Sequence, residues 1–350
     1  MPELRYDILS GTYTIVASER AKRPNDFRSA QEGEGVAPKL DPKCPFCPGN
    51  ENMTPPEISA LRDEGAHDGP NWRIRVVPNK FPALLPVRDA LEIGIDLTPA
   101  ENPIVDDSSI YWETPAVGAH EVVIESPKHN GTLGGYSSEE MAVIFNMLNE
   151  RYLVLYDQKA IKYVQVFRNW GPLGGASLAH PHFQIIGLPF MPPEVLNETS
   201  RYREYRGKTG RCIMCDYVER EIEKDLRVVA KSREFVILCP FASKYSFETL
   251  IVPRRHSTTF SELNAEEARD MAQEIIGLFY GYEEMFLSLS YNLVVHSLPP
   301  QKRSKKQTDY HWHMHVYPRL NVEAGLEKGA GVWINPTPPE LAALQFPKKG

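Results

Sequence analysis

The sequence has no long hydrophobic run. No stretch of its 350 residues approaches the roughly 18 consecutive apolar residues that a membrane-spanning helix needs. The first residues, MPELRYDILSGTY, contain acidic groups where a signal peptide has an apolar core. We therefore expect a soluble, cytoplasmic protein without membrane partners. An excess of basic residues is also missing, since the net charge is −7, so we do not expect nucleic acid as a partner.

Cysteine is scarce, with five residues in the chain. In a reducing compartment this number does not indicate a disulfide framework. Four of the five form two C-x-x-C pairs, Cys44 with Cys47 and Cys212 with Cys215. Such pairs are typical of metal sites or of redox chemistry.

The chain contains the same order of motifs twice. After the first C-x-x-C pair come HEVVIESPKH, which ends at His129, a helical segment, the strand-like YVQVFRN, and HPHFQ at 180–184. After the second pair come FETLIVPRRH, which ends at His256, a helical segment, the strand-like SYNLVVHS, and HWHMH at 311–315. An order of motifs that recurs at long spacing indicates two copies of one structural unit.

The two helical segments begin in the same way. Ser137 with Glu140, and Asn264 with Glu267, have the spacing of a capping box, and apolar residues follow at helical intervals. Each start lies eight residues after the histidine that ends the preceding strand-like segment. Strands separated by turns, with one long helix per unit, predict an α+β fold with mainly antiparallel sheet.

The length predicts two domains, because single cores stop growing at roughly 250–300 residues. We expect an N-terminal catalytic domain over residues 1–200 and an equivalent C-terminal domain over residues 211–350. The polar stretch 201–211 is the expected link between them.

Each C-x-x-C pair has two histidines at repeat-equivalent positions, and zinc binds thiolate and imidazole ligands tetrahedrally. The sequence therefore predicts two Zn²⁺ sites. The alternative is a redox pair or buried thiols, but redox pairs usually lie where a strand leads into a helix. The predicted ligands are Cys44, Cys47, His129 and His180 in the first half and Cys212, Cys215, His256 and His311 in the second half.

The segment NWGPLGGASLAHPHFQIIG concentrates the residues suited to phosphate chemistry. His180, His182 and Gln184 alternate on a strand-like run, so their side chains share one side. His180 can bind metal while His182 attacks phosphorus through one nitrogen, provided that its other nitrogen donates a hydrogen bond. Gln184 can donate to the phosphoryl oxygens in the transition state. The alternative is a purely structural histidine pair. The predicted anion-binding loop before it contains Gly171, Gly174, Gly175 and Ser177.

Four segments together resemble the galactose-1-phosphate uridylyltransferase family, a doubled branch of the histidine-triad superfamily. They are ERAKRPNDF, VVPNKFPAL, GGASL and HPHFQ. The resemblance implies two tandem histidine-triad-like units, a nucleotidyl-histidine intermediate at His182, ping-pong exchange, and a homodimer. It also implies that the first four metal-site residues named above bind zinc. The implied substrate-binding residues are Arg20 and Arg23, which act from the partner subunit, and Asn79, Phe81, Asn169, Gly175, Ser177 and Glu327.

The leading hypothesis is uridylyl exchange between UDP-glucose and galactose 1-phosphate, and the alternative is ADP-glucose phosphorylase or a related adenylyltransferase. Lys80 and Trp333 depart from the family pattern at nucleoside- and hexose-binding positions. A hypothesis of another class is a zinc-dependent nucleotide-binding protein without turnover. A second set of possible metal ligands in the C-terminal half matches other family members, and we expect the cysteine set there to bind the metal. That second set is Glu198, His296, His313 and His315.

Overall fold

The computed structural model describes residues 1–22, 38–95, 97, 113–300 and 309–347. The strands are β1 Glu3–Tyr6, β2 Tyr13–Val16, β3 Ser59–Arg62, β4 Trp72–Pro78, β5 Leu85–Pro86, β6 Val117–Ile124, β7 Tyr163–Trp170, β8 His182–Leu188, β9 Val228–Lys231, β10 Phe235–Leu238, β11 Thr249–Pro253, β12 Tyr291–His296, β13 His313–Pro318 and β14 Val332–Asn335. The α-helices are α1 Val87–Glu92, α2 Ser138–Tyr156, α3 Pro193–Thr209, α4 Ile213–Lys224, α5 Ala265–Met285, α6 Gly325–Ala330 and α7 Pro339–Gln345.

One large, mainly antiparallel sheet runs through both halves of the chain. Its order is β3-β4-β6-β8-β7-β12-β13-β11-β10-β9, and β5 adds to β6 in parallel. The halves meet where β7 pairs with β12, so that Asn292 lies directly opposite Asn169. The predicted α+β fold with two equivalent units is therefore confirmed, and the two units share a continuous sheet.

The two long helices begin as the sequence predicts. Ser137 caps α2 and Asn264 caps α5, each as a complete capping box with the glutamate three residues later. The helices pack against each other on one face of the sheet. Their buried faces belong to a single hydrophobic core that also contains residues of β4, β8, β10 and β12. The two halves are thus joined by a shared hydrophobic core in addition to the pairing of β7 with β12.

The chain ends come together in a second, smaller sheet. β2 pairs antiparallel with β1 and parallel with β14, in the order β1-β2-β14. Thr14 in β2 donates its hydroxyl to the carbonyl of Ala242 in the C-terminal half. Residues 201–211, the expected link, are mostly helical, because α3 extends to Thr209. In the described part of the chain, no helix is long and apolar enough to cross a membrane. The division at residues 200 and 211 stays a prediction.

Candidate active site and metal-binding clusters

The central histidine, His182, is the first residue of β8 and has a fixed tautomer. Its Nδ1 donates to the carbonyl oxygen of His180 at 2.7 Å, so the proton is on Nδ1 and the lone pair is on Nε2. Nε2 has no partner among the described residues and is not fully buried, although the whole residue is only 6% exposed. Burial lowers the pKa of His182. The imidazole is therefore neutral near pH 7 and presents a nucleophilic nitrogen.

An aromatic side chain connects this histidine to the first C-x-x-C loop. Phe46 lies between the two cysteines, and its ring packs edge-on against His182 with the centroids 5.3 Å apart. The same ring packs edge-on against His180, with the ring centroids 6.1 Å apart. Phe46 thus packs the first C-x-x-C loop against both histidine rings.

Gln184 is the next residue on the same face of β8. Its Oε1 lies 2.8 Å from Nε2 of His120, a residue of β6. The same His120 nitrogen is 3.1 Å from Nδ2 of Asn79, and Asn79 Oδ1 accepts the Phe81 amide at 2.9 Å. The sequence assigned no role to His120. The strand pairing brings it between two of the predicted site residues, Asn79 and Gln184.

Most backbone N–H groups of the glycine-rich loop are already engaged in hydrogen bonds within the protein. The N–H groups of Gly174, Gly175 and Ala176 donate to carbonyls within the loop, and that of Leu173 donates to Ser290 Oγ. Gly171 and Gly175 have φ of +71° and +79°, which favours glycine at both positions. Because these amides are engaged, the Ser177 hydroxyl and the side chains around the loop become the predicted phosphate donors.

Asn169 beside this loop is held from the C-terminal half. Asn292 in β12 donates to Asn169 Oδ1 at 2.8 Å and to the carbonyl of Gly174 at 2.7 Å. With its oxygen engaged, Asn169 keeps its NH₂ group for a ligand. The second half of the chain therefore contributes directly to the predicted phosphate loop.

The first predicted metal cluster is assembled as expected. The Sγ of Cys47 lies 3.4 Å from Nδ1 of His129 and 3.6 Å from Nδ1 of His180. Zinc–sulfur and zinc–nitrogen bonds in a tetrahedral site place these atoms about 3.5 Å apart. His180 Nε2 donates to the Ser126 carbonyl at 2.8 Å, which leaves Nδ1 free to bind metal. These four residues, which include Cys44, fit a zinc ion.

The second cluster repeats this arrangement. Cys215 Sγ lies 3.5 Å from Nδ1 of His256 and 3.4 Å from Nδ1 of His311, and Cys212 completes the group. His311 Nε2 donates to the Pro253 carbonyl at 2.9 Å. Pro253 precedes His256 by three residues, just as Ser126 precedes His129. Cys212 is the N-cap residue of α4 and makes no side-chain capping bond, and the preceding element is the helix α3, so the pair does not follow a strand as redox pairs usually do.

Three of the four residues of the alternative ligand set form a separate cluster, and His315 is not part of it. Glu198, His296 and His313 come together, and the Glu198 carboxylate accepts from His296 at 3.0 Å and from Tyr310 at 2.6 Å. Burial lowers the pKa of His296, but the charge of Glu198 outweighs this effect and raises it. His315 lies 3.2 Å from the carboxylate of Glu248. The second cysteine–histidine cluster and the Glu198 cluster therefore lie at different positions in the fold, and one metal ion could not be shared between them.

A fourth group, Glu57, His67 and Asp68, has metal-ligand residue types but a different explanation. Glu57 accepts bonds from Arg62 at 2.6 and 2.8 Å and from Arg75 at 3.0 Å. Arg75 also donates to Asp68 at 2.9 Å. Because arginines already satisfy both carboxylates, we assign this group to the structure of the β3–β4 region.

Comparison with known families agrees with this arrangement. The family described as galactose-1-phosphate uridyl transferase, N-terminal domain, matches residues 1–192, and its C-terminal domain matches residues 198–328. The chain belongs to the galactose-1-phosphate uridyl transferase family. It is thus a nucleotidyltransferase of this family's type.

Two curated relatives of different activity cover almost the whole chain. ADP-glucose phosphorylase from Arabidopsis thaliana is 34% identical over 98% of this chain and 91% of its own length. Galactose-1-phosphate uridylyltransferase from Haemophilus influenzae is 30% identical over 93% of this chain and 86% of its own length. Family membership therefore holds over almost the whole chain, and the two relatives have different activities.

Solved structures give the same picture. An Arabidopsis thaliana ADP-glucose phosphorylase with bound ADP-glucose has a TM-score of 0.81 and 30% identity, covering 100% of this chain and 99% of the other. A uridylyltransferase structure has a TM-score of 0.70 and 28% identity, covering 99% and 97%. The fold of the family extends over the entire chain.

The remaining residues implied by the family resemblance are less closely connected to His182. Arg20 and Phe81 are exposed, Phe81 to 84%, and Arg23 lies outside the described residues. Glu327 accepts the Ala324 amide at 2.9 Å and so caps α6. Trp333 in β14 packs on Tyr245 with the ring centroids 5.1 Å apart. A role in binding substrate stays a prediction for Arg20, Arg23, Phe81 and Glu327, whereas Trp333 is the departure from the family pattern named above.

Proposed function

We propose that the protein transfers a nucleoside monophosphate from a nucleotide sugar to an acceptor phosphate through a covalent intermediate on His182. The observation that supports this most directly is the bond from His182 Nδ1 to the His180 carbonyl, which leaves the lone pair of an accessible Nε2 free to attack. Family membership supports the same chemistry.

In the first step, Nε2 of His182 attacks the α-phosphorus and the bond to the leaving phosphate oxygen breaks. The sugar 1-phosphate departs with the bond electrons. In the second step, a phosphate oxygen of the acceptor attacks the same phosphorus and the N–P bond breaks, which restores the neutral imidazole. The NH₂ groups of Gln184 and Asn169 and the Ser177 hydroxyl would donate to the phosphoryl oxygens as their charge increases.

The leading acceptor is a hexose 1-phosphate such as galactose 1-phosphate, with UDP-glucose as donor. Adenylyl transfer from ADP-glucose to phosphate is the second candidate, and it is favoured by the similarity to the Arabidopsis enzyme. The unusual Lys80 in the segment beside the expected nucleoside site also supports it. In either reaction Phe81, with its exposed ring, would stack on the nucleobase and Asn79 would hold that segment.

We also propose Zn²⁺ in both cysteine–histidine clusters as a structural ion. In the first cluster it would tie the C-x-x-C loop and His129 to His180, whose carbonyl orients His182. In the second it would tie α4 to His256 and His311. A homodimer, in which Arg20 and Arg23 reach the sugar phosphate of the partner's site, is part of the same proposal.

The decisive experiment is intact mass spectrometry after incubation with UDP-glucose, ADP-glucose or UDP-galactose in turn. The wild-type protein should gain the mass of one uridylyl or adenylyl group, and the added mass identifies the nucleotide. His182→Ala should gain none. A wild-type protein that binds a nucleotide sugar but is never labelled would favour the non-catalytic binding protein.

His313→Ala is the matched control, because His313 Nδ1 makes the same bond to His311 at 2.9 Å in the other half. Its surroundings differ, because His313 stacks on His296 and no glycine loop precedes it. This variant should still be labelled on His182. Labelling that is lost in His313→Ala and kept in His182→Ala would place the reaction in the second half.

A further inference from the structure

His120 lies on the same face of the sheet as the predicted catalytic residues. In the pairing of β6 with β8, Ile124 is opposite His182, Val122 is opposite Gln184 and His120 is opposite Ile186. Residues opposite one another in antiparallel strands project to the same face, and alternate residues share it. His120 is therefore the diagonal neighbour of Gln184, within reach of its amide.

The hydrogen bonds of His120 determine its tautomer. The backbone N–H of Ala83 donates to Nδ1 at 3.2 Å, so Nδ1 is an acceptor and the neutral ring carries its proton on Nε2. Nε2 must then donate to Gln184 Oε1, 2.8 Å away. The Asn79 Nδ2 group at 3.1 Å is a second donor facing this nitrogen and so adds no bond in this state. Gln184 Oε1 is therefore the acceptor of the His120 Nε2–H hydrogen bond.

This bond decides which end of the Gln184 amide faces a ligand. With Oε1 held by His120, the NH₂ group is the end of the amide that has no acceptor within the described part of the chain. An amide that rotated freely would also present its oxygen, which repels an anionic phosphoryl group. Holding the oxygen removes that unproductive orientation before the substrate arrives.

We propose that His120 is a positioning residue for nucleotidyl transfer, which holds the Gln184 amide with its NH₂ group toward the reacting phosphoryl oxygens. The inference rests on the proposed function at His182. His120 also accepts the Ala83 amide of the segment that carries Asn79 and Phe81, so it joins that segment to Gln184.

The test measures nucleotidylation of the full-length protein in a single turnover, with the donor that labels the wild type. His120→Ala should lower the rate constant by about tenfold to a hundredfold, as expected for the loss of an oriented donor. The dissociation constant of the nucleotide sugar should change little, because water can replace His120 as acceptor for the exposed Ala83 amide. His120→Gln, whose Nε2 can occupy the place of the imidazole Nε2, should restore most of the rate.

A double-mutant cycle separates positioning from a general structural role. If His120 acts through Gln184, His120→Ala should have no further effect on the rate constant in a Gln184→Ala background. His67→Ala is the control, because His67 is exposed and contacts only Asp68 among the described ion pairs. It should leave the rate unchanged.

Three results would overturn the inference: a His120→Ala rate equal to wild type, effects that add in the double variant, or a loss in His120→Gln as large as that in His120→Ala. Failure of the proposed function has a different signature, in which the wild type itself takes up no label. In that case the positioning role falls together with the nucleophile.

Discussion

At the scale of single residues, the site has two side-chain amides whose orientation is already determined. Gln184 gives its oxygen to His120, and Asn169 gives its oxygen to Asn292, so both amides keep an NH₂ group for a ligand. His182 is fixed in the same way by one carbonyl. Because each donor or lone pair is oriented before binding, little reorganisation is needed when charge develops on a phosphoryl group.

A buried carboxylate outside the site gives a prediction about acid stability. Burial raises the pKa of Glu57, but the hydrogen bonds from Arg62, from the backbone N–H of Asp68 and from Arg75 outweigh it and lower the pKa to about 2. A group with a pKa below its unfolded value stabilises the fold above the unfolded pKa. This stability is lost as the pH falls from about 4.5 toward 2.

Glu57→Gln should therefore lower the free energy of unfolding at pH 7 by an amount on the order of 3 kcal/mol. The difference from wild type should shrink as the pH falls through the range given above. Urea denaturation at a series of pH values measures it. Asp63→Asn is the control, since its ion pair with Arg73 is long, at 3.9 Å, and exposed, so it should have little effect. A difference that stays constant with pH would contradict the assignment.

At the scale of secondary-structure elements, the pairing of β7 with β12 supports the predicted phosphate loop. Asn292 donates both of its amide hydrogens across this pair, to Asn169 and to the Gly174 carbonyl. Gly174 itself is packed so closely that a Cβ there would lie 2.6 Å from the carbonyl oxygen of Tyr291. Asn169 and the glycine-rich loop of the first half are therefore supported by β12 of the second half.

Asn292→Ala should reduce the nucleotidylation rate, because Asn169 can then rotate and the loop loses a bond at Gly174. We expect a loss of about tenfold, with a stability cost of about 1–3 kcal/mol for two removed hydrogen bonds. Single-turnover labelling and thermal unfolding measure these quantities. Asn321→Ala removes a bond to Ser246 at 3.3 Å in the second half and should leave the labelling rate unchanged. Equal rates in the two variants would argue against support by β12.

The sequence predicted the parts of the fold and of the candidate site that depend on local patterns. These are HPHFQ, the two C-x-x-C pairs with their histidines, and the two capping boxes. It did not predict His120, Phe46 or Asn292. The contact of His120 with Gln184 joins residues 64 positions apart, and that of Asn292 with Asn169 joins residues 123 positions apart. Such contacts depend on strand order and register, which alternating hydrophobicity does not specify.

At the scale of the whole molecule, the repeat is more closely joined than two separate domains would be. β7 and β12 make one sheet of the two halves, and one hydrophobic core contains residues of both long helices. The first strands of the chain pair with the last, so the N-terminus is attached to the C-terminal half. Local unfolding of either half would therefore expose core surface of the other, which favours a single cooperative transition.

This coupling makes the proposed zinc sites testable through the stability of the entire protein. Removal of one structural ion from either cluster should lower the midpoint of one shared unfolding transition, because binding to the native state stabilises everything that unfolds with it. Cys44→Ser and Cys212→Ser should each lose about one equivalent of zinc in elemental analysis. Each should give a single calorimetric peak at lower temperature. Chelation of the wild type should shift the peak further than either variant.

Cys239→Ala is the matched control, because Cys239 is fully buried but belongs to neither cluster. It should keep the full zinc content and lose only the small packing contribution of its thiol. Two separate peaks in Cys44→Ser would mean that the halves unfold independently in spite of the shared sheet. An unchanged zinc content in either cluster variant would remove that cluster from the proposal, because a tetrahedral site that loses one of two thiolates binds zinc far more weakly.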